Sequence, residues 1–186
     1  MIVEMIGKFR DTLHYKSIYG FDKVEKRDWI YNQIQDSAAK LLITQLAGGY
    51  SVFSNFGGIN YLALGEGLQS WGNSSATKPY TNTTLQAEAN ITNSRVLVGP
   101  NDFTYLDSNN NALSPQSSSD RVRLDVTIGL NDGLGNLREF GLFGGDATAT
   151  VDSGIMVNWV DHPLIVKDNR LIINREIILS LSFHRA

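Results

Sequence analysis

The sequence contains no cysteine, which excludes disulfide frameworks, thiolate zinc sites and cysteine nucleophiles. A cysteine-free chain is also indifferent to redox conditions, so composition leaves the compartment open. Proline is sparse, with 4 among 186 residues. No apolar run approaches the ~20 residues needed to cross a bilayer as a helix, so membrane insertion is not expected. Charge of one sign is not in excess either: 16 Lys and Arg face 19 Asp and Glu, giving a net charge of −3 and a pI near 5.6. That balance argues against a strongly basic nucleic-acid binder. The opening MIVEMIGKFRD carries an acid at Glu4 and does not read as a secretory signal.

What is present is enough apolar residue, 42%, for a packed core in one domain, or in one domain with an arm. Residues 8–27 hold Gly20 between two charged, extendable stretches and read as a hairpin or ribbon turning near 19–22. Residues 28–47 carry the single long helical pattern. Asp28 is placed to cap it, and Ile30, Ile34, Ala38, Leu41, Leu42 and Leu46 recur along one side, before Gly48 and Gly49. Short β segments follow, at 59–64, 95–98 and 103–106, with polar loops at 69–82 and 107–120 and a short helical turn expected at 83–89. In 121–130, Val122, Leu124, Val126, Ile128 and Leu130 alternate with polar residues, as one buried sheet face requires. Strands are expected at 137–143, at 155–160 with a further extended segment at 162–167, and at 171–183. Arg175 interrupts the apolar face of the last, which suggests that part of it projects beyond the core.

The expected fold class is mainly β: an antiparallel β-sandwich or flattened barrel with one amphipathic helix and an N-terminal β-hairpin arm. Residues 1–27 form the arm, and 28–186 a single domain beginning with the helix.

Little in the chain points to catalysis. His14, His162 and His184 are far apart and in no metal-ligand spacing. There is no G-x-S-x-G elbow. Gly65-Glu66-Gly67 lacks the third glycine of a dinucleotide loop and reads as a turn. Asp107, Asn109 and Asn111 copy the start of a calcium loop, but Ala112 and Ser118 stand where it needs glycine and glutamate. Sequons at Asn73, Asn82 and Asn90 matter only in a eukaryotic secretory pathway. Trp71 and Tyr80 lie in a polar loop, where they could fold back over the sheet edge or contact a glycan or receptor. Trp159 belongs to the core. In LREFGLF, alternation puts Arg138 or Glu139 among apolar residues whichever face is inside. A buried charge persists only when paired or hydrogen-bonded, so Glu139 is expected in a structural ion pair, with Arg95, Arg121 or Arg123 as partners. Catalytic, cofactor and metal residues are therefore expected to be absent.

Taken in order, N-Q-I-x-D at 32–36, I-N-Y-L-A-L-G-E-G at 59–67, T-L-x-x-E at 84–88, L-R-E-F-G-L-F at 137–143 and a closing strand pair resemble a family. It is the family of bacteriophage tail-associated structural proteins of tail fibre and baseplate type, with A-L-G-x-G and R-E-x-G-L-F motifs. The resemblance covers 28–183. Glu66 stands where that family usually has threonine, and the arginine that often follows T-x-L-x-x-E closely is missing, the first being Arg95. The resemblance implies a non-enzymatic virion component of the tail (baseplate, tail tip or fibre attachment), made in the bacterial host cytoplasm and working by protein–protein assembly. Its partners would be other tail proteins and further copies of itself, with Ile30, Ile34, Leu41, Leu42 and Leu46 as an assembly helix. The alternative is a receptor- or glycan-binding module using the 69–82 and 107–120 loops, with Trp71 and Tyr80 as contacts.

Overall fold

The computed structural model describes residues 2–17, 23–46, 57–71, 79–114 and 118–184. Ten strands form one curled antiparallel sheet: β1 Ile2–Tyr15, β2 Lys23–Lys26, β3 Ile30–Ile34, β4 Gly57–Gly65, β5 Arg95–Leu97, β6 Phe103–Leu106, β7 Arg121–Ile128, β8 Gly135–Gly145, β9 Ile155–Lys167 and β10 Leu171–His184. One helix, α1, spans Ser37–Leu46. The order across the sheet is β5-β4-β8-β9-β3-β1-β10-β7-β6, with β2 also beside β1.

This order explains the curl. β5 and β6 lie at opposite ends of the sheet, yet only residues 98–102 separate them in the chain. A link that short forces the two ends together, and the sheet folds one face onto itself as a half-barrel. The link is a 3-10 turn at Pro100–Asp102, in which the Asp102 carboxylate accepts the Gly99 N–H at 2.7 Å. The enclosed face is one apolar cluster: Phe9, Leu13, Leu124 and Ile177 from one half of the sheet meet Leu62, Phe140, Leu142 and Val160 from the other. α1 adds Ala38 and Leu41 to it. A second cluster lies on the opposite face of β4, β8 and β9, where Ala63, Phe143, Met156 and Trp159 are covered by Leu85 and Trp71.

The helix is shorter than expected, because residues 30–34 form β3. Gly7–Phe9 of β1 pair with 30–32, and Gln33 and Ile34 pair with Trp159 and Asn158 of β9. The misreading has a geometric cause: residues i and i+4 share a face both in a helix and in a strand, so Ile30 and Ile34 fit either period. The arm is also corrected. The expected hairpin is there, with Thr12–Tyr15 opposite Lys23–Lys26, although Gly20 lies outside the described residues. But β1 pairs with β10 along its whole length, from Ile2 opposite His184 to Tyr15 opposite Leu171. It is an interior strand. The 155–160 and 162–167 segments are one strand, β9, whose register against β8 shifts between Asp161 and Ile165. The turn expected at 83–89 is a single 3-10 turn at Glu88–Asn90. Arg175, finally, does not mark a projecting end; it is 1% exposed, inside the core.

Candidate functional site: a buried polar knot and a core ion pair

Three of the segments singled out in the sequence, A-L-G-E-G, T-L-x-x-E and L-R-E-F-G-L-F, meet in space. β4 ends at Gly65, where a Cβ would lie 2.6 Å from Glu139 Oε1, so the position calls for glycine. Gly67 follows with φ +64, a conformation that L side chains rarely adopt, against the ring of Trp71. Residues 85–87 lie against the outer face of β8 and β9 and are pinned there by Glu139, which is fully buried. Glu139 Oε1 accepts the backbone N–H groups of Gln86 and Ala87 at 2.6 and 3.2 Å, and Oε2 accepts the indole N–H of Trp159 at 2.7 Å. Trp71 stacks edge-on against Trp159 with ring centroids 5.8 Å apart.

Next to it, Glu88 of T-L-x-x-E is held by both Nε and Nη2 of Arg95, and both side chains are 1% exposed. Arg95 Nη1 donates to the carbonyls of Ser153 and Thr148 at 2.8 and 3.2 Å, and its guanidinium lies 4.5 Å over the Phe143 ring. The arginine that seemed displaced in sequence thus closes on the motif glutamate in space. Glu66 accepts from Asn90 Nδ2 at 2.8 Å, and Arg138 Nη1 donates to the Glu66 carbonyl at 3.4 Å.

Glu139 was expected to pair with Arg95, Arg121 or Arg123. Arg95 binds Glu88, Arg123 binds Asp125 at 2.9 Å, and Arg121 donates to the Ser108 carbonyl and Asn110. The Glu139 carboxylate accepts the N–H groups of Gln86, Ala87 and the Trp159 indole. Both faces of β8 are inside, with Phe140 and Leu142 in the enclosed core and Glu139, Gly141 and Phe143 under Trp71 and residues 85–87. The knot is a staple. Each of its two buried carboxylates accepts from several donors.

A second buried cluster lies in the enclosed core and was missed in the sequence. Arg175 of β10 donates from Nε and Nη2 to the two oxygens of Asp11 of β1, at 2.7 and 2.8 Å, and each residue is 1% exposed. The guanidinium sits 3.8 Å from the centroid of the Phe140 ring. Burial pushes the Asp11 carboxyl up, but the charge and hydrogen bonds of Arg175 outweigh it and hold the pKa below the ordinary value. His162 of β9 is 6% exposed, with its ring 6.5 Å from Phe9 and 6.2 Å from Phe140. Only the polar interruption at Arg175 hinted at this cluster; nothing in the spacing linked it to Asp11.

The remaining expected site residues are scattered. Tyr80 is 62% exposed, while Trp71 folds back onto the sheet. His14 contacts Asn174 on the outer face, and His184 pairs with Ile2 at the end of β10. Asp107 accepts the backbone N–H groups of Asn109 and Asn111, as a turn does. Asn82 Nδ2 donates to the Thr84 carbonyl, and Asn73 lies outside the described residues. On α1, Leu41 is buried and Leu42 half-buried, while Ile43 and Leu46 are 65% and 82% exposed. Beside the helix, Met5, Leu41, Leu42, Val122 and Leu181 line an apolar groove of about 250 Å³. Among the described residues, no three His, Asp or Glu side chains converge as a metal site, and no helix is long and apolar enough to cross a membrane.

Comparison with family models, curated proteins and solved structures finds no match to this chain.

Proposed function

We propose that the protein is a non-enzymatic structural component of a bacteriophage tail, at the baseplate, tail tip or fibre attachment, that works by assembling with other tail proteins and with copies of itself. The observation that carries this reading is the polar knot. A-L-G-E-G, T-L-x-x-E and R-E-F-G-L-F are segments that resemble the tail family: Gly65 leaves room for Glu139, Glu139 holds the backbone of 86–87, and Glu88 holds Arg95, which reaches the Thr148 and Ser153 carbonyls between β8 and β9. Motifs spent on fastening a rigid β scaffold suit a building block. A catalyst would place its carboxylates on an accessible cleft. The apolar side chains left on the outside of α1 are the kind of surface that assembly covers.

The test is immunogold electron microscopy of purified particles with an antibody against this chain. Gold at the tail tip, baseplate or fibres is the expected result. Gold confined to the capsid or neck, or no labelling with the epitope shown accessible, would overturn the tail assignment.

A further inference from the structure

We propose that His162, set against the Asp11–Arg175 pair, is an acid-sensitive latch across the core: the neutral imidazole lets the two halves of the curled sheet stay packed, and protonation unlocks them. The cluster spans the fold. Asp11 and Arg175 come from β1 and β10 in one half of the sheet, His162 from β9 and Phe140 from β8 in the other. Among the described residues, these two halves are joined through the sheet by β3 alone, which pairs three residues with β1 and two with β9.

The ring chemistry fixes where acid would act. His162 Nδ1 lies 2.9 Å from the Pro163 carbonyl, which can only accept, so Nδ1 carries the proton in the neutral ring. Nε2 is then a bare lone pair, buried and with no hydrogen-bond partner among the described residues. An incoming proton must go to Nε2, where the new N–H finds no acceptor among the described residues and the new charge faces Arg175. The charges felt by His162 are Arg175 of β10, Asp11 of β1 and Arg27, which follows β2; β8 presents the Phe140 ring. Asp11 would favour the imidazolium, but both its oxygens are already committed to Arg175. Burial first, and the Arg175 charge second, bring the His162 pKa down to about 4.

The sign follows from linkage. The unfolded chain takes up the proton near pH 6.5 and the folded chain near 4, so acid favours unfolding between those values. The contribution of neutral His162 is fully present above about pH 6.5 and is lost as pH falls toward about 4, lowering the folded-to-unfolded ratio roughly 300-fold. The Asp11 contribution, from a depressed carboxyl pKa, is lost only at lower pH.

The experiment is urea unfolding of the full chain at a series of pH values from 7.5 to 3.5, for the natural protein and for His162→Gln. Their difference removes the carboxylates and the other two histidines, which both proteins share. The natural protein is expected to lose stability faster below about pH 6.5, and His162→Gln to lack that extra slope. Equal slopes overturn the latch. If the variant fails to fold, nuclear magnetic resonance of the natural protein decides. An imidazole that stays neutral until the native spectrum is lost supports the latch; one that titrates near 6.5 with the native spectrum intact overturns it.

Discussion

At the scale of single residues, the most consequential feature is a buried carboxylate that ties separate segments together. Glu139 lies in a strand buried on both faces, and three N–H donors converge on it. Replacing it with glutamine keeps the shape but leaves one oxygen. Either amide orientation aims an NH2 group at a buried donor, at the backbone of 86–87 or at the Trp159 indole. An unsatisfied buried donor costs about 1–3 kcal/mol. Glu139→Gln is therefore expected to lose about that much stability in urea unfolding, with the near-ultraviolet signal of Trp159 and Trp71 altered even where the protein remains folded. A change below about 0.5 kcal/mol would mean that the staple does not hold the 86–87 backbone. The neighbouring glycines have the complementary role, since Gly65 makes room for the Glu139 carboxylate.

At the scale of elements, α1 divides the apolar pattern that the sequence presented as one stripe. Leu41 is 6% exposed and belongs to the core, so Leu41→Asp would place an unpaired charge there and unfold the protein before it could report on assembly. Ile43 and Leu46 touch the outside. Ile43→Asp with Leu46→Asp is expected to leave thermal stability within a few degrees, yet to prevent incorporation into particles, measured by probing purified particles for the chain. Full incorporation would remove this helix face from the assembly surface. The same region shows what could be read in advance. Strands with plain alternation, such as 121–128 and 171–184, were legible because one face meets the core and the other meets solvent. β3 was not, because Ile30 and Ile34 satisfy two periods at once. The parts of the polar knot were each visible as oddities, Glu139 among apolar residues and Gly65-Glu66-Gly67 after a strand. Their meeting depends on how the irregular stretch around 85–88 lies across β8 and β9, which leaves no periodic trace. Asp11 paired with Arg175 was illegible for a related reason: the partners are 164 residues apart, and only strand register brings them opposite each other.

At the scale of the whole molecule, the first and last strands are each other's longest partners, and they lie near the middle of the sheet order. β1 cannot bury Phe9 and Leu13, nor find a partner for Asp11, until β10 has joined it. The inner residues of β10, Ile173, Arg175, Ile177 and Leu179, then fill the centre of the enclosed core. Such long-range pairing makes folding slow, because the entropy of closing the chain is lost before the contacts form. It also makes the fold all-or-none with respect to its last strand. A chain ending at Asp168 would expose the inner edge of β1 and one side of β7, both strong templates for aggregation. That truncation is expected to give no cooperative unfolding transition and to elute as aggregate in gel filtration. Supplying 169–186 as a separate peptide during refolding would test whether the missing strand alone is at fault. Recovery of a monodisperse complex with a cooperative transition is the expected result. A truncated chain that folds cooperatively by itself would show that the β4-β8-β9 half is an independent unit, and that the two terminal strands are an addition to it rather than the element that closes its core.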